Sequence, residues 1–183
     1  FVSQYFNLAL LFEQAKVEMS VATFLTTCIG LGVGSTFLCG VAGLSLAIAP
    51  LVGIAFTSFP FFWLSFRRKR RLGHFAAQLP EALELIARAL RAGHSLAAGF
   101  QLVAQEGSDP IAEEFGRVFE EQNLGIPLEE ALANLGERIP NLDLRFFVTA
   151  VVLQRQTGGD LAEILDKIGH LVRERFKIWG QVQ

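Results

Sequence analysis

The most extreme feature of the hydrophobic pattern is a run of 46 residues without a charge, over positions 21–66. An α-helix rises about 1.5 Å per residue, so the run could reach roughly 69 Å, whereas a bilayer core is about 30 Å thick and takes about 20 residues to cross. The run therefore predicts two membrane-spanning helices, over residues 21–39 and 46–66, joined by a tight turn near residues 40–45. A buried helix pair in a soluble protein is disfavoured, because the outer face of such helices usually carries charge.

Five basic residues follow this run directly, and aromatic side chains crowd its end. Lys and Arg in short flanking segments stay on the cytoplasmic side of a membrane, so residues 67–183 and 1–20 are expected in the cytoplasm. The aromatic residues are typical of an interfacial belt, and the basic residues are suited to anionic lipid headgroups. A nucleic-acid patch is the disfavoured alternative. The predicted membrane interface comprises Trp63, Arg67, Arg68, Lys69, Arg70 and Arg71.

Residues 1–20 carry apolar side chains at a spacing near 3.6, with polar and charged residues between them. This spacing predicts an amphipathic helix, which lies either at the membrane interface before the first span or against the cytoplasmic domain. The apolar positions are Leu8, Leu11, Phe12, Ala15 and Met19.

A threefold repeat organises the rest of the chain. Gly93, Gly125 and Gly158 are 32 and 33 residues apart, and a leucine follows each glycine after three residues. From each leucine, apolar or small residues recur with helical spacing, which predicts one face of an amphipathic helix. Apolar helical runs also precede the glycines, over residues 80–92, 110–124 and 142–156. The apolar residues of the third run are Phe146, Phe147, Ala150, Val151 and Leu153.

The residues around the glycines carry helix start and stop signals. Each glycine is expected to end its helix in the left-handed conformation, which a residue without Cβ adopts at little cost. Ser95 can cap the helix after it, Pro127 can occupy a first turn, and Asp160 with Glu163 forms a capping-box pattern. The prediction is an all-α fold: a membrane hairpin followed by six helices in three helix–Gly–helix repeats. A closed bundle is preferred over a short solenoid for a domain of this size.

Charge is divided unevenly along the chain. Residues 1–66 hold three charges, whereas residues 67–183 hold 15 basic and 16 acidic side chains, the composition of a soluble domain. Cys28 and Cys39 fall in the apolar run and imply no disulfide framework. The chain begins with Phe1 and stops within a helical pattern, so a truncated C-terminus is expected. The predicted organisation is an interfacial segment over 1–20, two spans over 21–66 and a cytoplasmic helical domain over 67–183.

The sequence lacks the common signatures of catalysis and metal binding. It contains no nucleotide-binding Gly-x-x-x-x-Gly-Lys loop, no His-Glu-x-x-His and no cysteine–histidine metal spacing. The charge-free spans also argue against a transporter or an intramembrane enzyme. We therefore expect no enzyme, cofactor or metal site. A segment that resembles a phosphate loop is interpreted as a helix–turn–helix cap, because no strand precedes it: Thr157, Gly158, Gly159 and Asp160.

Acidic residues are densest in the run over residues 110–124. Glu113 and Glu120 are seven residues apart, as are Glu114 and Glu121, so each pair shares one side of a helix. Such a face is a candidate surface for a basic partner, or for a hard cation. A solvated helix face is the plain alternative.

Two stretches of the helical domain resemble the cytoplasmic domain of type II secretion system protein F. Residues 78–96 read QLPEALELIARALRAGHSL, and residues 156–168 read QTGGDLAEILDKI, followed by Arg173, Glu174 and Arg175. With the paired spans and the basic cluster, the chain is more narrowly similar to the TadB-type platform proteins of the Tad (tight adherence) pilus. The resemblance covers about residues 8–183, and the combination of motifs makes it specific.

The resemblance implies a multi-pass assembly platform in the bacterial inner membrane, with a six-helix bundle in the cytoplasm. Such a platform couples a hexameric secretion ATPase to pilin extraction and pilus growth. The implied partners are membrane lipids, the cytoplasmic secretion ATPase, a TadC-like platform partner and pilin subunits, in a homo- or hetero-oligomer without nucleic acid. TadB-type chains continue into further spans, and this sequence stops at Gln183.

Two other readings stay open at the level of sequence. The chain could be a membrane-anchored adaptor or signalling module, whose helical domain binds a soluble cytoplasmic partner unrelated to secretion. It could also belong to a membrane enzyme whose active site lies outside these residues. The missing C-terminal sequence would distinguish them, because two further spans favour the platform and a catalytic or receiver domain favours the alternatives.

Overall fold

The computed structural model describes Gln14, residues 21–41 and residues 49–181. All regular structure in these residues is α-helical, and they contain no strand, which confirms the predicted all-helical class. The helices are α1 (Val21–Val41), α2 (Ala49–Arg91), α3 (Leu96–Glu106), α4 (Ile111–Asn123), α5 (Leu128–Arg138), α6 (Leu142–Thr157) and α7 (Leu161–Gln181). The chain divides into two compact units, Phe1–Arg71 and Leu72–Gln183.

Several predictions for the N-terminal unit fall outside the described residues. The amphipathic helix predicted over residues 1–20 is described only at Gln14, and the predicted turn is described only at Gly40 and Val41, which α1 includes. In the part of the chain that the structure describes, no helix is long and apolar enough to cross a membrane. The two predicted spans therefore stay a prediction.

The first unit contains a contact between α1 and the first part of α2. The ring of Phe24 meets that of Phe61 edge-on, with centroids 5.9 Å apart. Phe24, Cys28 and Leu64 are buried. Cys28 is a free, buried cysteine, as expected for a small apolar side chain without a disulfide partner.

The helix α2 is longer than the sequence predicted. The apolar run over residues 80–92 predicted a separate helix that begins near Pro80. Instead α2 runs without a break from Ala49 to Arg91 and contains Pro80 in its interior. Proline has no N–H to donate, so the helix lacks one backbone hydrogen bond at this position. Buried neighbours on either side, Leu79 and Leu83, pack into the core and compensate for that loss.

The second unit is a bundle around four phenylalanines. Phe115 of α4 lies at its centre, with ring centroids 5.6 Å from Phe100, 6.0 Å from Phe147 and 6.5 Å from Phe75. All four side chains are fully buried. Because Phe75 is in α2 and Phe147 is in α6, one residue of α4 touches helices that are not its neighbours in sequence. These contacts join the three repeats around one core. The middle repeat of a solenoid also contacts both of its neighbours, so contacts between the first and last repeats distinguish a closed bundle from a solenoid.

The bundle is closed by contacts between α2 and α7, its first and last helices. Gly169 of α7 lies against α2, where an added Cβ would be 3.5 Å from the carbonyl oxygen of Pro80. The guanidinium group of Arg173 pairs with Glu84 at 2.7 Å, and Asp166 pairs with Arg91. The preferred closed arrangement of the helices is therefore observed in this unit.

Two of the five apolar residues named for the third predicted run do not face the core. Phe147 and Val151 are fully buried, but Phe146 is 58% exposed and Leu153 is 57% exposed. The run over 142–156 is apolar on more than one side, so its periodicity does not select a single inward face. The bundle packs against the side that carries Phe147 and leaves Phe146 and Leu153 outside.

Candidate functional site

The first two glycine turns have the same backbone geometry. Gly93 has φ of +84° and Gly125 has φ of +89°, in the region that residues with a Cβ rarely adopt. In both turns, the N–H that follows the glycine donates to a carbonyl oxygen five residues earlier, at 3.0 Å. This is the Schellman arrangement, which satisfies the last carbonyl groups of a helix. The helices after these turns begin at Leu96 and Leu128.

The third turn is built differently. Thr157 ends α6, and Gly158 has φ of +70° with ψ of 151°, which is not the left-handed helical conformation. Gly159 also has a positive φ, of +144°, and a Cβ there would collide with the side chain of Gln154. The carboxylate of Asp160 accepts from the backbone N–H groups of the first turn of α7, at 2.9 and 3.2 Å. The sequence of this turn thus requires glycine at two consecutive positions.

The predicted capping box at Asp160 is half formed. Asp160 caps α7, but the carboxylate of Glu163 accepts from Nζ of Lys167, four residues later, at 2.6 Å. The side-chain hydroxyl of Ser95 caps α3 by accepting from the N–H of Ala98 at 3.2 Å. Pro127 stands at the N-cap position of α5 and, having no side-chain acceptor, forms no cap bond. Side-chain capping therefore differs between the three repeats.

The three repeats meet at one end of the bundle. A cavity of about 420 Å³ opens there, lined by the first residues of α3, α5 and α7 and by the ends of α4 and α6. Its walls include Leu96, Leu128 and Leu161, the leucine that follows each repeat glycine. Gln122 also lines the cavity, and its Oε1 is buried without a hydrogen-bond partner among the described residues. This end of the bundle is an apolar recess with one unsatisfied polar atom, suited to contact with another molecule.

The four glutamates predicted to form a partner face do not share one exposed surface. Glu120 is exposed, and Glu113 is partly buried and accepts from Arg117 at 3.3 Å. Glu114 is almost fully buried, at 1% exposure, and Glu121 is partly buried. The seven-residue spacing correctly places Glu114 and Glu121 on one side of α4, but that side faces α5. A role in partner binding stays a prediction for Glu113 and Glu120, whereas Glu114 and Glu121 are bound within the bundle.

Arg138 of α5 holds these two inward-facing carboxylates. Its Nε donates to Glu114 at 2.8 Å, and its Nη1 donates to Glu121 at 2.9 Å. The second carboxylate oxygen of Glu121 accepts from Asn134 at 3.2 Å. Buried charges of opposite sign must be paired and hydrogen-bonded to remain charged. The cluster therefore fixes α4 and α5 to each other.

The buried position of Arg138 was not predicted, although the spacing of apolar residues in α5 indicates it. The buried residues of α5 are Leu128, Ala131, Leu132 and Leu135, and the same spacing continues to position 138. An arginine on the apolar face of a helix predicts a buried partner, because an unpaired charge there would be costly. A second ion pair was missed as well: Asp143 of α6 is buried and accepts from Arg175 of α7 at 2.6 Å.

The basic cluster belongs to the first unit. Arg67 lies over the ring of Trp63, 5.4 Å from its centroid, in a cation–π contact. Arg68 and Arg71 are partly buried and donate to the side chain and backbone of Gln14, respectively. Lys69 and Arg70 are exposed. Three of the five basic residues, Arg67, Arg68 and Arg71, therefore form contacts within the unit, and Lys69 and Arg70 are exposed to solvent.

The described residues hold no group of three or more His, Cys, Asp or Glu side chains that could bind a metal ion. The three histidines are exposed and far apart in sequence: His74 lies on α2, His94 in the turn before α3, and His170 on α7. The arrangement offers an apolar recess, exposed charges and a closed, ion-paired core. These features define a helical interaction domain built from three helix–turn–helix repeats.

The comparison with protein families identifies the domain. The family model described as Type II secretion system (T2SS), protein F, matches residues 82–183, which is more than half of the chain. The chain therefore belongs to the type II secretion system protein F family, whose members are inner-membrane platform proteins of secretion and pilus-type machines. No curated protein and no solved structure matches the chain significantly.

Proposed function

We propose that this chain is a non-enzymatic assembly platform of a Tad-type pilus, or of a related type IV pilus or type II secretion machine. The match of the protein F family to residues 82–183 carries the proposal. In this role the bundle receives the movement of a cytoplasmic secretion ATPase and passes it to the membrane part of the machine. There pilin subunits are extracted and added to the growing fibre.

The construction of the bundle supports a mechanical role. A part that transmits movement must move as a body, and closely packed interiors shift between discrete arrangements without deforming continuously. The bundle has one core, centred on Phe115, and contacts between α2 and α7 close it. The buried pairing of Arg138 with Glu114 adds a directional constraint between α4 and α5. A push on one helix would thus be shared by its neighbours.

The first unit is proposed to lie in the inner membrane and to keep the bundle on the cytoplasmic side. The support is the 46-residue uncharged run, the family membership and the exposed aromatic side chains before the basic cluster. Exposed aromatics next to Lys and Arg suit the boundary between hydrocarbon and headgroups. Lys69 and Arg70 are free to reach anionic lipid, whereas Arg68 and Arg71 also bind Gln14. The exposed aromatics are Phe59, Phe61, Phe62, Trp63 and Phe66.

Membrane attachment is tested by fractionation of cells that express the full chain. We expect the chain in the membrane pellet after alkaline carbonate washing, which removes peripheral proteins. A reporter fused after Gln183 is expected to be active only in its cytoplasmic form. Release by carbonate would contradict the spans, and a periplasmic reporter signal would contradict the orientation.

Coupling to an ATPase is tested by crosslinking in cells. A photoreactive amino acid at Glu120 or Glu113 is expected to capture the cognate secretion ATPase, since both residues reach the surface of α4. The matched control places the same amino acid at Glu137, an exposed position on α5. Failure to capture the ATPase from any face of the bundle, in cells that assemble the fibre, would refute the coupling role. A TadC-like partner and further copies of the chain are expected among the other crosslinked proteins.

A further inference from the structure

The outer face of α6 carries an apolar seam that nothing in the described residues covers. Leu142, Phe146, Thr149 and Leu153 are spaced four, three and four residues apart, so they lie in one narrow stripe along the helix. All four are exposed, and the three apolar side chains are each exposed by 57–58%. The opposite side of the same helix buries Phe147 in the core. The helix therefore has one apolar face that builds the bundle and a second that points away from it.

The spacing of the seam is that of a helix–helix contact. Apolar residues that alternate between three and four positions apart are the pattern by which one α-helix packs side chains between those of another. Thr149 fits this pattern although it is polar, because its hydroxyl donates to the carbonyl oxygen of Arg145 in its own helix, at 2.8 Å. The hydroxyl therefore does not need a solvent partner when the seam is covered.

One exposed charge flanks the seam and indicates what kind of helix would cover it. Arg145 is exposed beside Phe146, and no acidic side chain pairs with it in the described part of the chain. The acidic residue on the other flank, Asp143, is buried and occupied by Arg175. In paired helices, charges at such flanking positions select the partner and its orientation. A partner helix with a carboxylate opposite Arg145 would complement this face.

A second copy of α6 does not supply that carboxylate. In a parallel pair of α6 helices, Arg145 of one copy would face the flanking residue five positions later on the other copy, which is Ala150. In an antiparallel pair it would face another Arg145 or the apolar Val152. The charge on this face thus favours a different chain over self-association.

We propose that the outer face of α6 is a docking site for an amphipathic helix of another protein, with apolar residues at alternating spacings of three and four and a carboxylate that pairs with Arg145. The inference goes beyond the proposed coupling role, because it stands on α6 alone and holds whichever machine the chain serves.

The test uses the full chain in its own cells, with a photoreactive amino acid at position 149, in the middle of the seam. We expect a crosslink to a segment of another protein that has the apolar spacing and an acidic residue, as read by mass spectrometry of the crosslinked peptide. The Arg145→Glu variant is expected to lower the crosslink yield at least fivefold. Changing the captured acidic residue to lysine is expected to restore the yield in that variant. The same photoreactive amino acid at Gln101, an exposed position on α3, serves as the control and should not capture that segment.

Capture of a segment alone does not support the proposal. The proposal also requires that Arg145→Glu lowers the crosslink yield and that the lysine change in the captured segment restores it. A crosslink to a second copy of the chain, to its own residues 1–20 or to lipid would overturn it, as would the absence of any crosslink. A yield unchanged by Arg145→Glu would overturn it as well. Arg145→Lys, which retains the charge, should keep the yield, and the thermal unfolding midpoint of each purified variant shows that the bundle is intact. None of these outcomes bears on capture of the ATPase from Glu120.

Discussion

Oε2 of Glu114 accepts a hydrogen bond from Nε of Arg138 at 2.8 Å, and the carboxylate that forms this contact is only 1% exposed. The two residues are 24 positions apart, on adjacent helices of the bundle. A carboxylate this deeply buried needs a cation beside it to stay charged, and Arg138 supplies one. Glu121 shares the same guanidinium group, so one arginine compensates two acidic side chains.

Removal of Arg138 is expected to be among the most destabilising single changes in the bundle. Arg138→Met removes the guanidinium group that Glu114 and Glu121 share, and we expect the free energy of unfolding to fall by about 3–5 kcal/mol. The measurement is urea denaturation of the full chain in detergent, followed by far-UV circular dichroism. The double variant Glu114→Leu/Arg138→Met should lose less than the sum of the single changes.

The exposed pair of Arg155 and Glu129 provides the control for this prediction. Its donor–acceptor distance is 2.9 Å, similar to that of the buried pair, but both side chains are about half exposed. Arg155→Met is therefore expected to change the free energy of unfolding by about 1 kcal/mol or less. If Arg138→Met and Arg155→Met lower the free energy of unfolding equally, the larger contribution expected of the buried pair would be contradicted.

Phe115 is expected to be the most sensitive apolar position. Phe115→Ala removes the ring that contacts Phe75, Phe100 and Phe147 and leaves a cavity between four helices. We expect a loss of about 3–5 kcal/mol in the free energy of unfolding. Phe146→Ala, on the exposed side of α6, should cost about 0.5 kcal/mol or less in the purified chain. A comparable loss in both variants would show that the assignment of inner and outer faces is wrong.

The left-handed turn at Gly125 gives a backbone prediction. No atom would crowd a Cβ at this position, so the cost of Gly125→Ala comes from its φ of +89° alone. We expect a loss of about 1–2 kcal/mol, measured as a lower midpoint of denaturation. Gly136→Ala is the matched control, because Gly136 lies inside α5 with equal space and should gain about 0.5–1 kcal/mol. A stabilising Gly125→Ala variant would exclude a positive φ in solution.

The cap of α6 gives a fourth prediction. The side-chain oxygen of Asn141 accepts from the N–H groups of Asp143 and Leu144 at 2.7 and 3.1 Å. Asn141→Ala is expected to lower the free energy of unfolding by about 1 kcal/mol. Asn123, at the exposed end of α4, caps no helix start, so Asn123→Ala should change stability little. If the two variants unfold at the same denaturant concentration, the cap contributes nothing.

Local signals in the sequence determined most of the second unit. The helices after the three glycines begin at Leu96, Leu128 and Leu161, the positions that the apolar spacing indicated. Gly93 and Gly125 adopt positive φ, as predicted for residues that end a helix. These features depend on a few neighbouring residues: the hydrogen-bonding side chain at a helix start, the absence of a Cβ at its end, and the spacing between them. Helix starts and ends of this kind can therefore be predicted from the sequence alone.

Other features depended on residues distant in sequence and were not predicted. The helix α2 continues through Pro80, because the packing of its neighbours outweighs one missing hydrogen bond. The acidic residues of α4 could have been solvated, but Glu114 and Glu121 face Arg138 of α5, which is distant in sequence.

Residues of α6 separate the two kinds of information most clearly. Phe146 and Phe147 are adjacent and identical in type, yet one is 58% exposed and the other is fully buried. The sequence by itself determined that this segment is a helix, that it is apolar and that Gly158 follows its end. The tertiary structure decided which phenylalanine meets Phe115, because that choice depends on where α4 lies. Burial is a property of the assembled bundle, whereas helix formation is set by spacing along the chain.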